Sequence, residues 1–142
     1  MASGAHPQVI LSGFADEAAI NKTAIEQFVA FAALGLSYYS IRFIDVGQGV
    51  KNVMKLTPDE VKQVCQLQKD YGLQVSSLGS PIGKIKLKDV EDGTKNVYIP
   101  FDKYLQEDVR RACELAQTLG TKADPGLFFL PSQRRGPQAV PQ

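Results

Sequence analysis

The sequence is short of several residue types on which chemistry commonly depends. It has no tryptophan, one histidine (His6), two cysteines, and 16 basic against 15 acidic residues. A single imidazole excludes a His-rich metal centre or a Ser-His-Asp triad built within this chain, because histidine is the commonest metal ligand and general base. Cys65 and Cys113 lie far apart in segments of helical pattern, which excludes a zinc knuckle or a CxxC redox pair and predicts reduced, partly buried thiols. No basic run is longer than Arg110-Arg111 or Arg134-Arg135, so there is no electrostatic footprint for nucleic acid or an anionic membrane surface. No apolar run approaches the roughly 18 to 20 residues that cross a bilayer, and the N-terminal MASGAHPQ has neither a basic n-region nor an apolar h-region. These absences predict a cytoplasmic protein that binds neither nucleic acid nor membrane.

What is present is a repeated strand-then-helix pattern. QVILSGFA, from Gln8 to Ala15, is a short apolar run with β-formers that reads as a strand buried on both faces. Asp16 is placed to cap a helix over 18–34, with Ile20, Ile25, Phe28, Val29, Ala32 and Ala33 at inward spacing and Gly35 as the stop. LSYYSIRFIDV, from Leu36 to Val46, is aromatic and β-branched and predicts a second strand, carrying Arg42 within it and closed by Asp45 before the Gly47-Gln48-Gly49 turn. Thr57-Pro58-Asp59-Glu60 is a capping box with proline at the first helical position. It starts a helix that buries Val61, Val64, Leu67 and Gln68 and stops at Gly72.

LQVSSL, from Leu73 to Leu78, is the third strand, and it runs into the glycine- and proline-punctuated loop GSPIGK at 79–84. Residues 85–99 read as a long connecting loop with an excursion of its own. A third helix over 101–119 places Tyr104, Leu105, Val109, Ala112 and Ala116 inward, with Gly120 closing it. Three such units in series predict an α/β fold with a parallel sheet and right-handed crossovers. Leu127 to Leu130 is a candidate fourth strand. From Pro131 the chain is polar and without periodicity, which predicts disorder.

The segments ILSGFADEA, SYYSIRFIDVGQGVKNV, VSSLGSPIGKIKL and YIPFDKYLQEDVRRACELAQTLGTK together resemble the xylose isomerase-like TIM-barrel family of sugar phosphate isomerases and epimerases. The resemblance spans residues 8–122, and the phrase GSPIGK after a third strand is its most specific part. It implies a parallel (βα)3 to (βα)4 partial TIM barrel, the N-terminal half only. It also implies family chemistry of metal-assisted proton transfer next to a carbonyl, with a sugar or sugar phosphate as the small-molecule partner. The family's metal-binding residues lie mainly on later strands, so a divalent metal is implied for the full-length family and none for this chain, and no catalytic residue is expected here.

The positions that match are at the C-terminal ends of strands, where barrel enzymes build their sites. Phe14, Glu17, Arg42, Ser77, Ser80 and Lys84 are the substrate-binding candidates. Each has an ordinary structural reading as well. Glu17, like Asp16, can serve the N-terminus of a helix. Arg42, an always-charged group in a buried strand, requires either a ligand oxyanion or an internal carboxylate, for which Glu17 and Asp45 are candidates. Lys84 can hold an anion as a point charge or be a solvated loop lysine, and Ser77 and Ser80 can bond to backbone.

A complete eight-fold barrel takes about 250 residues, and this chain has 142. Codons can be assigned to residues 123–142 so that a one-base shift spells a strand-like continuation. This predicts a flexible terminus at 1–7, a half-barrel at 8–122 and an aberrant, frame-shifted tail at 123–142. A half-barrel leaves open edges, which predicts self-association. The function expected is that of an isomerase or epimerase fragment, inactive alone. The alternative is a small α/β binding module holding an anionic metabolite through Glu17, Arg42 and Lys84. A flavodoxin-like domain fits the length but would need a glycine-rich phosphate loop after strand one, which is missing.

Overall fold

A computed structural model of the chain describes residues 9–86 and 88–121. Short strands alternate with helices in a mixed α/β arrangement. The strands are β1 (Tyr38–Ile41), β2 (Phe43–Ile44), β3 (Lys51–Asn52), β4 (Gln74–Leu78), β5 (Ile85–Lys86) and β6 (Val97–Tyr98). The helices are α1 (Ala24–Ala33), α2 (Pro58–Tyr71), α3 (Phe101–Tyr104) and α4 (Arg110–Leu119), with a π-helical turn at Leu105–Val109 joining the last two.

β1 and β4 pair in parallel, as the order strand, helix, strand predicts. Their register slips by one residue, from Tyr39 opposite Val75 to Ser40 opposite Ser77, so Ser76 is the extra residue of a bulge. Its hydroxyl donates to the Tyr39 carbonyl at 3.1 Å. The expected continuous strand over 36–46 is broken at Arg42. There the chain changes partners: the Arg42 carbonyl accepts from Val53 N–H at 2.8 Å, and β2 runs antiparallel to β3. The expected loop over 85–99 does make an excursion, closed by a parallel β5 and β6 pair.

The first strand departs most from expectation. QVILSGFA is not a strand buried on both faces; Phe14 makes one parallel bridge with Ser40, Gly13 accepts from Ser40 N–H, and Val9 and Leu11 are 82% and 67% exposed. An apolar run becomes a buried strand only when something covers both of its faces, and among the described residues nothing covers 9–11.

The first helix also starts later than predicted and buries a different face. Asp16 caps nothing; Thr23 is the N-cap, its hydroxyl accepting from Glu26 N–H, and the helix begins at Ala24. Its buried side is Ala24, Gln27, Phe28 and Phe31. Ile20, Ile25, Val29, Ala32 and Ala33 are exposed instead. Gln27 wins an inward position because its amide nitrogen donates to the carbonyls of both Lys22 and Phe43 at 2.8 Å, so its two N–H groups are buried with their hydrogen bonds made. The helix ends at Leu34, and Gly35 takes the left-handed conformation expected of the stop.

α2 forms as its signals predict. Thr57 and Glu60 complete a reciprocal capping box, Pro58 opens the helix, and Gly72 closes it in the left-handed region. The third helix occupies 101–119 as expected, although Leu105 is exposed and Leu115 and Leu119 join Ala112 inward. The extra residue of the π-helical turn shifts the face at that point.

The core gathers Phe28, Phe31, Tyr39, Ile41, Val64, Val75 and Leu115. Phe28 stands edge-on to Tyr39 at 5.0 Å and to Tyr71 at 6.1 Å, which joins α1, β1 and α2 through one ring. A smaller cluster, Ile82, Tyr104 and Ala112, seats the 79–84 loop against the third helix. Cys65 and Cys113 are free and half-buried, as expected. Among the described residues no helix is long and apolar enough to cross a membrane. The predicted fourth strand at Leu127–Leu130, the tail at 123–142 and residues 1–7 lie outside the described residues.

Candidate functional site

The C-terminal ends of three chain segments meet at one rim. The segment ending at Phe14 lies beside Ser40 of β1, Arg42 follows β1, and Gly79 follows β4. The three are packed so closely that a Cβ built on Gly79 would stand 2.6 Å from Arg42 Cβ and 3.0 Å from a Phe14 ring carbon. Glycine is needed here for space: Gly79 N–H donates to the Ile41 carbonyl at 2.7 Å, and Asn52 Nδ2 donates to the Gly79 carbonyl at 3.1 Å.

Past Phe14 the chain makes a 3-10 turn at Ala15–Glu17, which brings two consecutive carboxylates to the arginine. Arg42 Nη2 donates to Asp16 Oδ2 and to Glu17 Oε1, both at 2.9 Å, and its Nε donates to Asp16 Oδ2 at 3.2 Å. The guanidinium carbon lies 4.5 Å from the Phe14 ring centroid and 5.5 Å from that of Phe43, so the cation is stacked as well as paired. Hydrogen bonding to Asp16 above all, and to Glu17, holds the Arg42 guanidinium above even its ordinary basic range.

Of the two internal partners expected for Arg42, Glu17 is one and Asp45 is not. Asp45 Oδ1 instead accepts from Gly47 and Gly49 N–H at 2.7 and 2.9 Å, shaping the turn after β2. The stronger partner is Asp16, whose side chain is fully buried, while those of Arg42 and Glu17 are 30% and 66% exposed.

Lys22 completes the set, its ammonium donating to the Asp16 carbonyl at 3.2 Å and to Oδ2 at 3.4 Å. Its backbone sits in the left-handed region at φ 57°, uncommon for a side chain of this kind. Its carbonyl is held there by Gln27 Nε2 at 2.8 Å and Asp45 N–H at 2.9 Å. Two carboxylates and two cations thus balance, and the rim offers a ligand no net charge.

Beside this cluster lies a group of hydroxyls. Ser40 Oγ is 2.7 Å from Ser77 Oγ and 3.2 Å from Ser76 Oγ, and Ser76 also meets Ser12. The bulge at Ser76 is what brings adjacent serines of β4 to the same neighbour.

The structure therefore brings Phe14, Glu17 and Arg42 into one cluster, with Ser77 among the neighbouring hydroxyls. It does not bring Ser80 or Lys84 into these contacts. Ser80 Oγ accepts from Ile82 N–H at 3.4 Å, a bond to backbone. Lys84 is exposed and forms no ion pair among the described residues. The loop between them is fixed by Tyr104, whose hydroxyl accepts from Gly83 N–H at 2.7 Å.

Asp16, Lys22, Ser40 and Gly79 were not among the candidates. Asp16 had a signal, since an arginine in a buried strand demands a carboxylate and two acids follow the first segment. The others are set by tertiary approach and left no trace in spacing.

The carboxylates present do not fit a divalent metal. Asp16 and Glu17 face Arg42 and Lys22, and among the described residues no three His, Cys, Asp or Glu side chains gather as a ligand set. No family model, curated protein or solved structure matches the chain.

Proposed function

We propose that this chain is the N-terminal half of a xylose isomerase-like barrel, and that its rim supplies part of the binding surface for a sugar. The single observation that carries this reading is the convergence of Phe14, Glu17, Arg42 and the Ser40 and Ser77 hydroxyls at the C-terminal ends of parallel segments, the end at which such barrels bind substrate. The α/β order and the parallel β1 and β4 pair support it. An exposed carboxylate, paired hydroxyls and a partly exposed aromatic ring are the groups that recognise a polyol through many weak hydrogen bonds and an apolar face.

The family reaction is proton transfer next to a carbonyl, aided by a divalent metal. The described residues do not fit that metal, so the contribution we propose for this chain is binding and orientation, with no turnover expected of the chain alone. Incubation with a ketose and a divalent cation leaves the sugar unchanged; epimerisation at the rate of a complete enzyme would overturn this.

An anionic metabolite is a poorer match. Arg42 donates through Nε and Nη2 to Asp16 and Glu17, so an incoming phosphate would meet only Nη1, beside two carboxylate charges that repel it. Thermal shift of the full chain separates the readings. A neutral ketose at high millimolar concentration raises Tm by mass action, and Glu17→Ala removes the rise. A rise produced equally by inorganic phosphate would instead favour the anion-binding module.

A further inference from the structure

We propose that the serine cluster at the rim accepts hydrogen bonds from a ligand and donates none, so that it takes the hydroxyl chain of a polyol and leaves the carbonyl carbon of a ketose pointing away. This rests on the reading of the rim as a sugar site and adds to it the direction of each bond, and with it the orientation of the ligand. A hydroxyl has one proton and two lone pairs, so the bonds within a group of hydroxyls are settled by counting protons. Ser12, Ser40, Ser76 and Ser77 hold four protons and make four contacts: Ser76 with the Tyr39 carbonyl, with Ser12 and with Ser40, and Ser40 with Ser77. The first is fixed outright, because a carbonyl only accepts: Ser76 donates to Tyr39 at 3.1 Å. With its proton committed there, Ser76 is the acceptor from Ser12 and from Ser40, the latter 3.2 Å away. Ser40 has then given its own proton and accepts from Ser77 at 2.7 Å. Reversing that last bond would set the Ser40 and Ser76 oxygens 3.2 Å apart with no proton between them. Ser40 is 7% exposed, too buried for solvent to relieve that contact.

Every proton of the cluster is thereby turned inward. What it offers a ligand is lone pairs, those of the half-buried Ser77 Oγ and of the exposed Ser12 Oγ, neither of which accepts from a described group. Glu17 extends this surface, since Oε1 is held by Arg42 and Oε2 has no partner among the described residues. The bulge sets the direction, because Ser76, its extra residue, is the serine that reaches a carbonyl. A surface of acceptors is satisfied by groups that donate. Alcohol O–H groups fit it, whereas a carbonyl or ether oxygen would meet it lone pair to lone pair. Arg42 Nη1, which makes no bond in the cluster, is left for a ligand oxygen that accepts. A ketose therefore lies with its hydroxyl chain on the serines and its carbonyl carbon on the arginine side.

Amide-shift titrations of the full chain test this with D-fructose, with D-glucitol, which lacks the carbonyl, and with D-glucitols altered at one hydroxyl at a time. Deoxygenation removes donor and acceptor together, whereas fluorine keeps the size and a weak acceptor and removes only the donor. Fructose and glucitol are expected to bind alike. At two or more positions the deoxy compound binds about three- to tenfold more weakly, and the fluoro compound does no better. In Ser76→Ala the Ser40 proton passes to Ser77, whose own proton turns outward, and the fluoro compound recovers at one of those positions. Fluorine that restores binding at every position would overturn the proposal while leaving the rim a sugar site, as would fructose binding without glucitol binding. A readout that needs no ligand separates the two claims: the Tyr39 carbonyl carbon resonance moves upfield in Ser76→Ala and stays in place in Ser77→Ala. An unmoved resonance in Ser76→Ala would overturn the bond directions even where sugars bind. Failure of both fructose and glucitol to bind would overturn the ligand orientation together with the sugar reading, even where that resonance moves.

Discussion

The two β/α units of the described chain, residues 9–33 and 38–71, repeat the same order of elements and differ in what surrounds them. In the second unit β1 has β4 on one side and the Phe14 bridge on the other, and α2 is amphipathic with a capping box at its start. In the first unit the apolar run shrinks to one bridge, and α1 keeps a helix while leaving Ile25 and Val29 in solvent. A helix satisfies its own backbone and forms without neighbours on every side; a strand does not. Among the described residues it is the first unit whose apolar side chains are left uncovered.

The largest effect expected is at the ring that ties the units together. Phe28→Ala removes the side chain packed between Tyr39 and Tyr71, at a cost of about 3 to 5 kcal/mol in chemical denaturation. Ile25→Ala, one turn back on the outward face, costs less than about 0.5 kcal/mol in the monomer. Equal losses would mean that the two faces of α1 are both packed within one copy.

Next comes the pin at the rim. Asp16→Ala leaves Arg42 half-buried with only the exposed Glu17, and costs about 2 to 4 kcal/mol by the same measurement. Glu17→Ala, which removes the exposed partner, stays within about 1 kcal/mol. A reversal of that order would mean that Glu17, not Asp16, holds the rim.

The smallest effects lie in the second unit. Thr57→Ala deletes one side of the capping box and costs about 1 kcal/mol. Glu60, the other side, also accepts from Lys51 Nζ at 2.6 Å. Lys51 first, and then Thr57 N–H, hold its carboxyl below the usual carboxylate value. A folded value below the unfolded one stabilises the native state above the unfolded value, near 4.5, and that contribution is lost as pH falls through the lower folded value. Acid titration of stability should therefore lose a step below pH 4.5 in Lys51→Met, and an unchanged profile would exclude the pair as its source.

How much of this was legible in the sequence followed how local each feature is. Thr57, Pro58, Glu60 and Gly72 bound α2 correctly because caps act within one turn. The start of α1 is equally local, and two signals compete for it: Asp16 precedes the apolar pattern, but Thr23 and Glu26 stand at capping-box spacing, and Thr23 is the cap that forms. The inward face of α1 was misread because Gln27, bonded to Lys22 and Phe43, outcompetes Ile25 for the interior through partners that spacing does not reveal. At the site, the need of Arg42 for a carboxylate was readable, and its choice of Asp16 depended on how the 3-10 turn meets the end of β1. Ser80 and Lys84 shared a loop with Gly79 in sequence, yet only Gly79 reaches the arginine.

We propose that the rim of Phe14, Glu17, Arg42 and the serines binds a neutral sugar. Titration of the uniformly ¹⁵N-labelled chain with a ketose tests it most directly. The expected result is amide shifts that saturate and concentrate at Phe14, Glu17, Ser40, Ser77 and Gly79, with inorganic phosphate leaving those signals in place. Saturable shifts confined to Lys84 and its loop, or no saturable shift at any sugar concentration, would contradict it.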